Sequence, residues 1–196
     1  LLHYRALDRR MDLNFEDARN FKVYRSGFSG ECLYDKLFDE VGHDNLYIFR
    51  DLYLVSGKSG AQYDSIIISG DAVTVNEIKN YSGEYYYKNG RFMKNGEVVP
   101  DNPFTQVDRA VGKLYRICRN AKVTAEISGK VVFPNDEFRL YSEDNSIWKN
   151  IVIRMDLKKY FRQFKDDYNT EKADRLVTLI RSHISGNPYF NGSMNV

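Results

Sequence analysis

The chain has little of what builds a covalent or metal-held scaffold. Its two cysteines, Cys32 and Cys118, exclude a disulfide framework and any four-cysteine zinc site. A reduced, cytoplasmic setting is the expectation. Three histidines, His3, His43 and His183, lie far apart in the sequence, and neither H-E-x-x-H nor H-x-E…C-x-x-C occurs. Zinc peptidase and zinc deaminase chemistry are thereby excluded. Neither G-x-x-x-x-G-K-[ST] nor G-x-G-x-x-G is present, so the ordinary phosphate-cradling loops are missing too. No apolar run approaches the ~18 residues that a membrane helix needs. The opening Leu1-Leu2-His3-Tyr4-Arg5 has neither a long apolar stretch nor a small-residue cleavage site, so a secretory leader is not expected. Strong charge of one sign is also lacking. The formal net charge is +2, with residues 1–100 slightly acidic and the remainder slightly basic. That balance permits a polyanionic partner without requiring one.

What is present is the composition of a folded domain. Apolar residues make up 42% and charged residues 29% of 196 residues, ample for one core. Residues 1–25 are polar and charged without a clean apolar period, and read as an N-terminal arm, helical in part. Ser29 is a plausible helix cap, and Leu33, Tyr34, Leu37, Phe38 and Val41 then recur at helical spacing. Strand patterns follow at Tyr47–Val55, Tyr63–Ser69 and Ala72–Lys79, with Gly70-Asp71 as a tight turn between the last two. Shorter strands over 83–87, 91–93 and 97–99 are separated by Asn89-Gly90 and Asn95-Gly96. Asn102-Pro103 opens a helix reaching about Asn120, with Phe104, Val107, Val111, Leu114 and Cys118 on one face. Another strand spans 123–133, interrupted at Ser128-Gly129. Short strands near 138–141 and 151–155, helices over 156–166 and 171–184, and a frayed tail from Ser185 complete the reading. This order predicts an α/β fold with a mixed sheet and helices on its faces.

One constellation carries chemistry. Asp64 opens a strand, and Glu77-Ile78-Lys79 closes the next, in the pattern D-x12-E-x-K. Side chains alternate across a strand, so Glu77 and Lys79 share a face with Val73 and Val75, while Ile78 faces the other way. Pairing about Gly70-Asp71 sets Asp64 opposite Glu77 and Ile66 opposite Val75. Two carboxylates and a lysine on one face suit metal-assisted hydrolysis. The carboxylates favour a hard ion such as Mg2+ or Mn2+, and the lysine would orient water or offset developing charge. An exposed Glu-x-Lys ion pair is the bland alternative, and it is common.

A longer set of residues resembles the nuclease-related domain (NERD) family, a branch of the PD-(D/E)xK nuclease superfamily. The matching text is Gly27-x-x-Gly30-Glu31 in the first helix, then Asp64-Ser-Ile-Ile-Ile. Val75-Asn-Glu77-Ile-Lys79-Asn-Tyr81-Ser-Gly83 follows, and Asn102-Pro103-Phe-Thr-Gln106 enters the second helix. The resemblance covers about residues 26–133. It leaves residues 1–25 as an arm and 134–196 as a C-terminal extension packed on the core with additional helices. It implies the α-β-β-β-α-β core of restriction-endonuclease-like folds and divalent-metal phosphodiester hydrolysis. By position, Asp64 and Glu77 would be metal ligands, Lys79 the catalytic lysine, and Glu31 an acidic residue contributing to metal or water binding. Gln106 would be the polar residue of the second helix facing the site. Asn76 departs from the pattern, being polar where an apolar strand residue is usual, on the face opposite Glu77.

A helical wheel sets Glu31 beside Phe38, and Gln106 beside Ala110 and Ile117, at the edges of the apolar arcs. Without the resemblance, Glu31 reads equally well as a carboxylate complementing the helix dipole. Arg109, Lys113 and Arg116 form a basic stripe beside Gln106. It would suit phosphates flanking a scissile bond, although a solvated helix face is the commoner meaning. Tyr85-Tyr86-Tyr87 offers stacking rings or ordinary strand packing, and both cysteines read as buried small apolar groups. The expected partner is nucleic acid, DNA first. A homodimer stays open, because no sequence feature marks an interface. The rival expectation is a nuclease-fold module that binds nucleic acid or a protein without turnover.

Overall fold

A computed structural model describes residues 15–164 and 170–186, with the backbone alone over 15–24. Helix α1 (Phe15–Val41) leads into a hairpin of β1 (Tyr47–Ser56) and β2 (Ser59–Ser69), and β3 (Ala72–Ile78) follows. A small meander comes next: β4 (Gly83–Lys88), β5 (Arg91–Lys94) and β6 (Glu97–Val98). Then come helix α2 (Pro103–Asn120), β7 (Glu126–Phe133) and β8 (Phe138–Ser142), with a 3-10 segment at Asn145–Asn150. Strand β9 (Ile151–Ile153), helices α3 (Leu157–Arg162) and α4 (Glu171–His183), and β10 (Ile184–Ser185) close the described chain.

The central sheet has the order β10-β1-β2-β3-β7-β9. It is mixed: β1, β2 and β3 are antiparallel neighbours, whereas β7 runs parallel to both β3 and β9. The predicted α-β-β-β-α-β core is therefore present as α1-β1-β2-β3-α2-β7. Both faces of the sheet are covered, which explains why Ile66-Ile67-Ile68 is uniformly apolar rather than alternating. Ile66 and Ile68 join Val73, Val75, Val107, Leu114 and α4 residues in one core. Ile67 and Ile78 join Tyr34, Phe38, Leu157 and Phe161 of α1 and α3 in another. Burying one such isoleucine contributes about 1.5–3 kcal/mol. Strands β6-β5-β4-β8 make a second, four-stranded sheet, with β8 parallel to β4, that the sequence pattern does not reveal. The described residues beyond 134 are built into this architecture: β9 extends the central sheet, and α3 and α4 each contribute to a core.

Several local expectations are corrected. Helix α1 already runs from Phe15, so Ser29 lies inside it and caps nothing; the helical part of the expected arm is there, continuous with the core helix from residue 15 onward. Gly27 and Gly30 imitate a helix start, but Gly30 answers a packing demand described below. Strand β2 reaches back to Ser59, which puts Asp64 in mid-strand rather than at its start. Gly60 reads as part of a turn, yet it pairs with Val55, and a Cβ there would run into the Tyr53 ring. Gly129 does not interrupt β7. A Cβ on it would lie 2.8 Å from Val107 Cγ2, so this glycine lets α2 press onto the sheet. Cys32 is exposed, on the side of α1 turned from the core, while Cys118 is buried. Residues 1–14, 165–169 and 187–196, which include His3, the end of one expected helix and most of the expected tail, lie outside the described residues. Among the described residues, no helix is both long and apolar enough to cross a membrane.

Candidate active site

The β2–β3 hairpin sets the geometry. Gly70, at φ 54°, supplies the positive φ that the two-residue turn needs. Ser69 then pairs with Ala72, Ile66 with Val75 and Ser65 with Asn76. The next step in this register brings Asp64 level with Glu77, as the spacing predicts. There the ladder opens. The Asp64 carboxylate replaces the missing backbone partner, accepting a bond of 2.7 Å from the Ile78 N–H through Oδ2. On the other side of β3 the Lys79 N–H donates to the Val132 carbonyl at 2.9 Å, which holds the lysine at the strand end.

On the same face, Lys79 Nζ and Glu77 Oε1 form an ion pair of 2.6 Å, with both side chains mostly shielded from water. Burial and the Glu77 charge push the Asp64 carboxyl well above its ordinary range, against the Ile78 N–H bond and Lys79. Burial also works to lower the Lys79 pKa, but the charge of Glu77, its hydrogen bond and Asp64 outweigh it, so the ammonium is held charged. Glu31 comes to the group from α1. Burial, then Asp51 and Asp35, push its carboxyl up to about 7, with Lys79 opposing. Glu31 lies sixteen residues into α1, far beyond the first turn where the helix dipole acts, so dipole complementation does not explain it.

The helix carrying Glu31 is clamped to the strand end carrying Lys79. Asn80 Nδ2 donates to the Ser26 carbonyl at 2.8 Å. A Cβ on Gly30 would sit 2.6 Å from Asn80 Cβ, so only glycine allows this approach. Two members of the clamp are chain neighbours of site residues, Gly30 of Glu31 and Asn80 of Lys79.

Helix α2 begins as the Asn-Pro pair predicts. Asn102 Oδ1 accepts from the Phe104 N–H at 3.0 Å, and Asn102 Nδ2 donates to the Gly90 carbonyl at 3.1 Å. Because α2 leads back into the start of β7, which runs parallel to β3, its N-terminal turn overlies the Glu77–Lys79 end of the sheet. Gln106 is in that turn, and its Oε1 is buried with no hydrogen-bond partner among the described residues. Of the basic stripe, Arg109 and Arg116 are exposed, whereas Lys113 is committed to the Gly60 carbonyl and braces α2 on β2.

Two site features escaped the sequence reading. Asp51 lies between the registered pairs Arg50–Ser65 and Leu52–Tyr63, across from Asp64, at φ 44°. Its carboxylate is the strongest charge acting on Glu31, and its Oδ1 accepts from Gln62 at 3.0 Å. The signal is an acidic residue beside Arg50 inside the largely aromatic and aliphatic run of β1. The second feature is Asn80, quoted within the motif but given no role. Among the described residues, no three His, Cys, Asp or Glu side chains form a group that encloses a metal ion by itself. Of the expected ligands, Asp64 and Glu77 share the strand end, and Glu31 stands within electrostatic range of both.

A mixed α/β sheet flanked by helices, with an acidic pair and a lysine at the end of its hairpin, defines a nuclease-like protein of the PD-(D/E)xK type. The chain belongs to the nuclease-related domain family, whose model matches residues 26–134, a little over half of its length. No curated protein and no solved structure matches it.

Proposed function

We propose that this chain hydrolyses phosphodiester bonds in DNA, with Mg2+ or Mn2+ held by Asp64 and Glu77. The observation that carries the reading is the concentration of negative charge at one strand end. Asp64 is driven up by burial and by Glu77, and Glu31 is raised to about 7 by burial and by its acidic neighbours. A divalent cation relieves that repulsion. The donor set fits such an ion, because carboxylate oxygens suit hard cations and magnesium is commonly held by one or two carboxylates together with water and phosphate. When bound, the ion supplies charge neutralisation and an acidified water.

The remaining roles belong to the chain's own groups. Lys79, kept charged by Glu77, offers N–H donors to a water or to a phosphate oxygen that gains charge in the transition state. Gln106 Oε1, an acceptor with no partner among the described residues, orients a water proton. Glu31 accepts from water at the rim of the group and, once ionised, serves as a base near neutral pH. Arg109 and Arg116 contact flanking phosphates.

The test is incubation of the protein with supercoiled plasmid, linear duplex and single-stranded DNA in Mg2+, Mn2+ and EDTA, beside matched Lys79→Ala protein. Cleavage that requires the ion and disappears with Lys79→Ala is the expected result. Metal-independent DNA binding that survives Asp64→Ala, with no cleavage of any substrate, would replace this reading by the idle binding module.

A further inference from the structure

The four-stranded sheet has two unlike faces. Its inner face is core: Tyr85, Phe92 and Phe138 pack with Tyr81, Phe104 and Phe133. Its outer face should be polar, as expected of a sheet with one side in water. Instead the register carries an apolar row straight across it. Val98 pairs with Met93, Met93 with Tyr86, and Tyr86 with Tyr141. Tyr86 and Tyr141 stack on each other, centroids 5.1 Å apart and planes at 23°, yet both stay over 40% exposed. Lys88, Arg91 and Arg139, all exposed, lie beside the row on the same face by strand alternation. Arg139 Nη1 donates to the Asp136 and Phe138 carbonyls. The one acid on this face of β4 and β8, Glu84, accepts from the Tyr141 hydroxyl at 3.1 Å.

We propose that this face binds a short single strand of nucleic acid, its bases stacked on Tyr86 and Tyr141 and its phosphates near Lys88, Arg91 and Arg139. The ligand class rests on the nuclease reading above; the choice of surface does not. Three features select a strand over a protein. The apolar part is one side chain wide and crosses four strands, roughly 14 Å at ~4.8 Å per strand. That is far short of the roughly 800 Å2 per partner of a stable protein interface, but it matches two or three bases on an open four-stranded sheet. The flanking charge is mainly basic, complementary to phosphate. Finally, β4 begins four residues after Lys79, so only a short link joins this sheet to the candidate site.

The test is fluorescence anisotropy of a labelled thymidine dodecamer in EDTA, where no cleavage intervenes, against wild type, Tyr86→Leu and Tyr141→Leu. Leucine retains apolar area on an exposed strand position but removes the ring, and circular dichroism checks the fold. Each variant is expected to weaken binding about 5- to 150-fold, corresponding to ~1–3 kcal/mol per stacked base. A matched duplex dodecamer should lose much less. Wild-type affinity in both variants, or no binding of the dodecamer by wild type, overturns the proposal. So does a dimer that Tyr86→Leu disperses in sedimentation while dodecamer binding is unchanged, since the face would then serve a second copy. Plasmid cleavage with Mg2+ is scored separately: dodecamer binding that does not depend on the rings, with cleavage intact, breaks this inference alone, and ring-dependent binding without any cleavage breaks the hydrolytic reading alone.

Discussion

Neighbouring residues of β2 and β3 face opposite ways and meet opposite treatment. On one side Asp64, Glu77 and Lys79 are ionisable, crowded and only partly buried. On the other, Ser65 and Asn76 are fully buried and neutral, and two tyrosines serve them. Tyr160 donates to Asn76 Oδ1 at 2.5 Å, and the Tyr34 hydroxyl lies 3.3 Å from Ser65 Oγ. Asn76 Nδ2 has no partner among the described residues, but no net charge is buried there. The closed side satisfies polar groups so that α1 and α3 can pack over them. The open side tolerates repulsion that packing alone would not select. A polar residue at a strand end is thus structural or chemical according to whether its neighbours discharge it.

The largest expected difference between the two sides is in activity. Lys79→Ala should reduce DNA cleavage by roughly 100-fold or more, the scale of losing a group that stabilises transition-state charge, as measured by plasmid nicking. Asp64→Asn should do the same while raising the melting temperature at pH 8, because it removes a buried charge yet keeps an acceptor for the Ile78 N–H. Active Asp64→Asn protein, or one less stable than wild type, would dissolve the contrast.

Two substitutions sharpen the contrast through stability. Gly30→Ala places a methyl 2.6 Å from Asn80 Cβ and has no room unless α1 shifts. Overpacking of this kind costs about 1–3 kcal/mol, and the shift would displace Glu31 from Lys79, so kcat should fall more than KM rises. Restoration by a second change, Asn80→Gly, would tie the loss to the clamp. Tyr160→Phe belongs to the closed side. It strands Asn76 Oδ1 at a cost of about 1–3 kcal/mol, seen as a lower denaturant midpoint, and cleavage per folded molecule should not change.

The readable part of this fold was what local chemistry dictates. Gly70-Asp71 and the alternation of Val73, Val75, Glu77 and Lys79 were enough to register β3 on β2, and Asn102-Pro103 marked the start of α2 to the residue. What stayed hidden depended on tertiary contact. Gly30, Gly60 and Gly129 carry the same letter as turn glycines, and only the approach of Asn80, Tyr53 and Val107 shows that they are spacers. The parallel pairing of β8 with β4 joins residues more than fifty apart, with no turn to announce it. Asp51 acts on Glu31 across two elements, so no spacing could link them.

The smallest effect separates Glu31 from the closed side by its response to pH. Its carboxyl is raised from 4.5 to about 7, so the folded protein binds the proton more tightly than the unfolded chain does. Stability then falls as pH rises between these two values, since the folded state must give up a proton that the unfolded state has already lost. In metal-free protein, Glu31→Gln should flatten that part of the stability–pH curve, measured by urea unfolding at successive pH values, and leave the Tyr160→Phe deficit unchanged at every pH. With Mg2+ present the slope of the wild type should shrink, because a cation favours the ionised carboxylate. An unaltered slope in Glu31→Gln would assign the pH response to Asp64 and place Glu31 outside the electrostatic group.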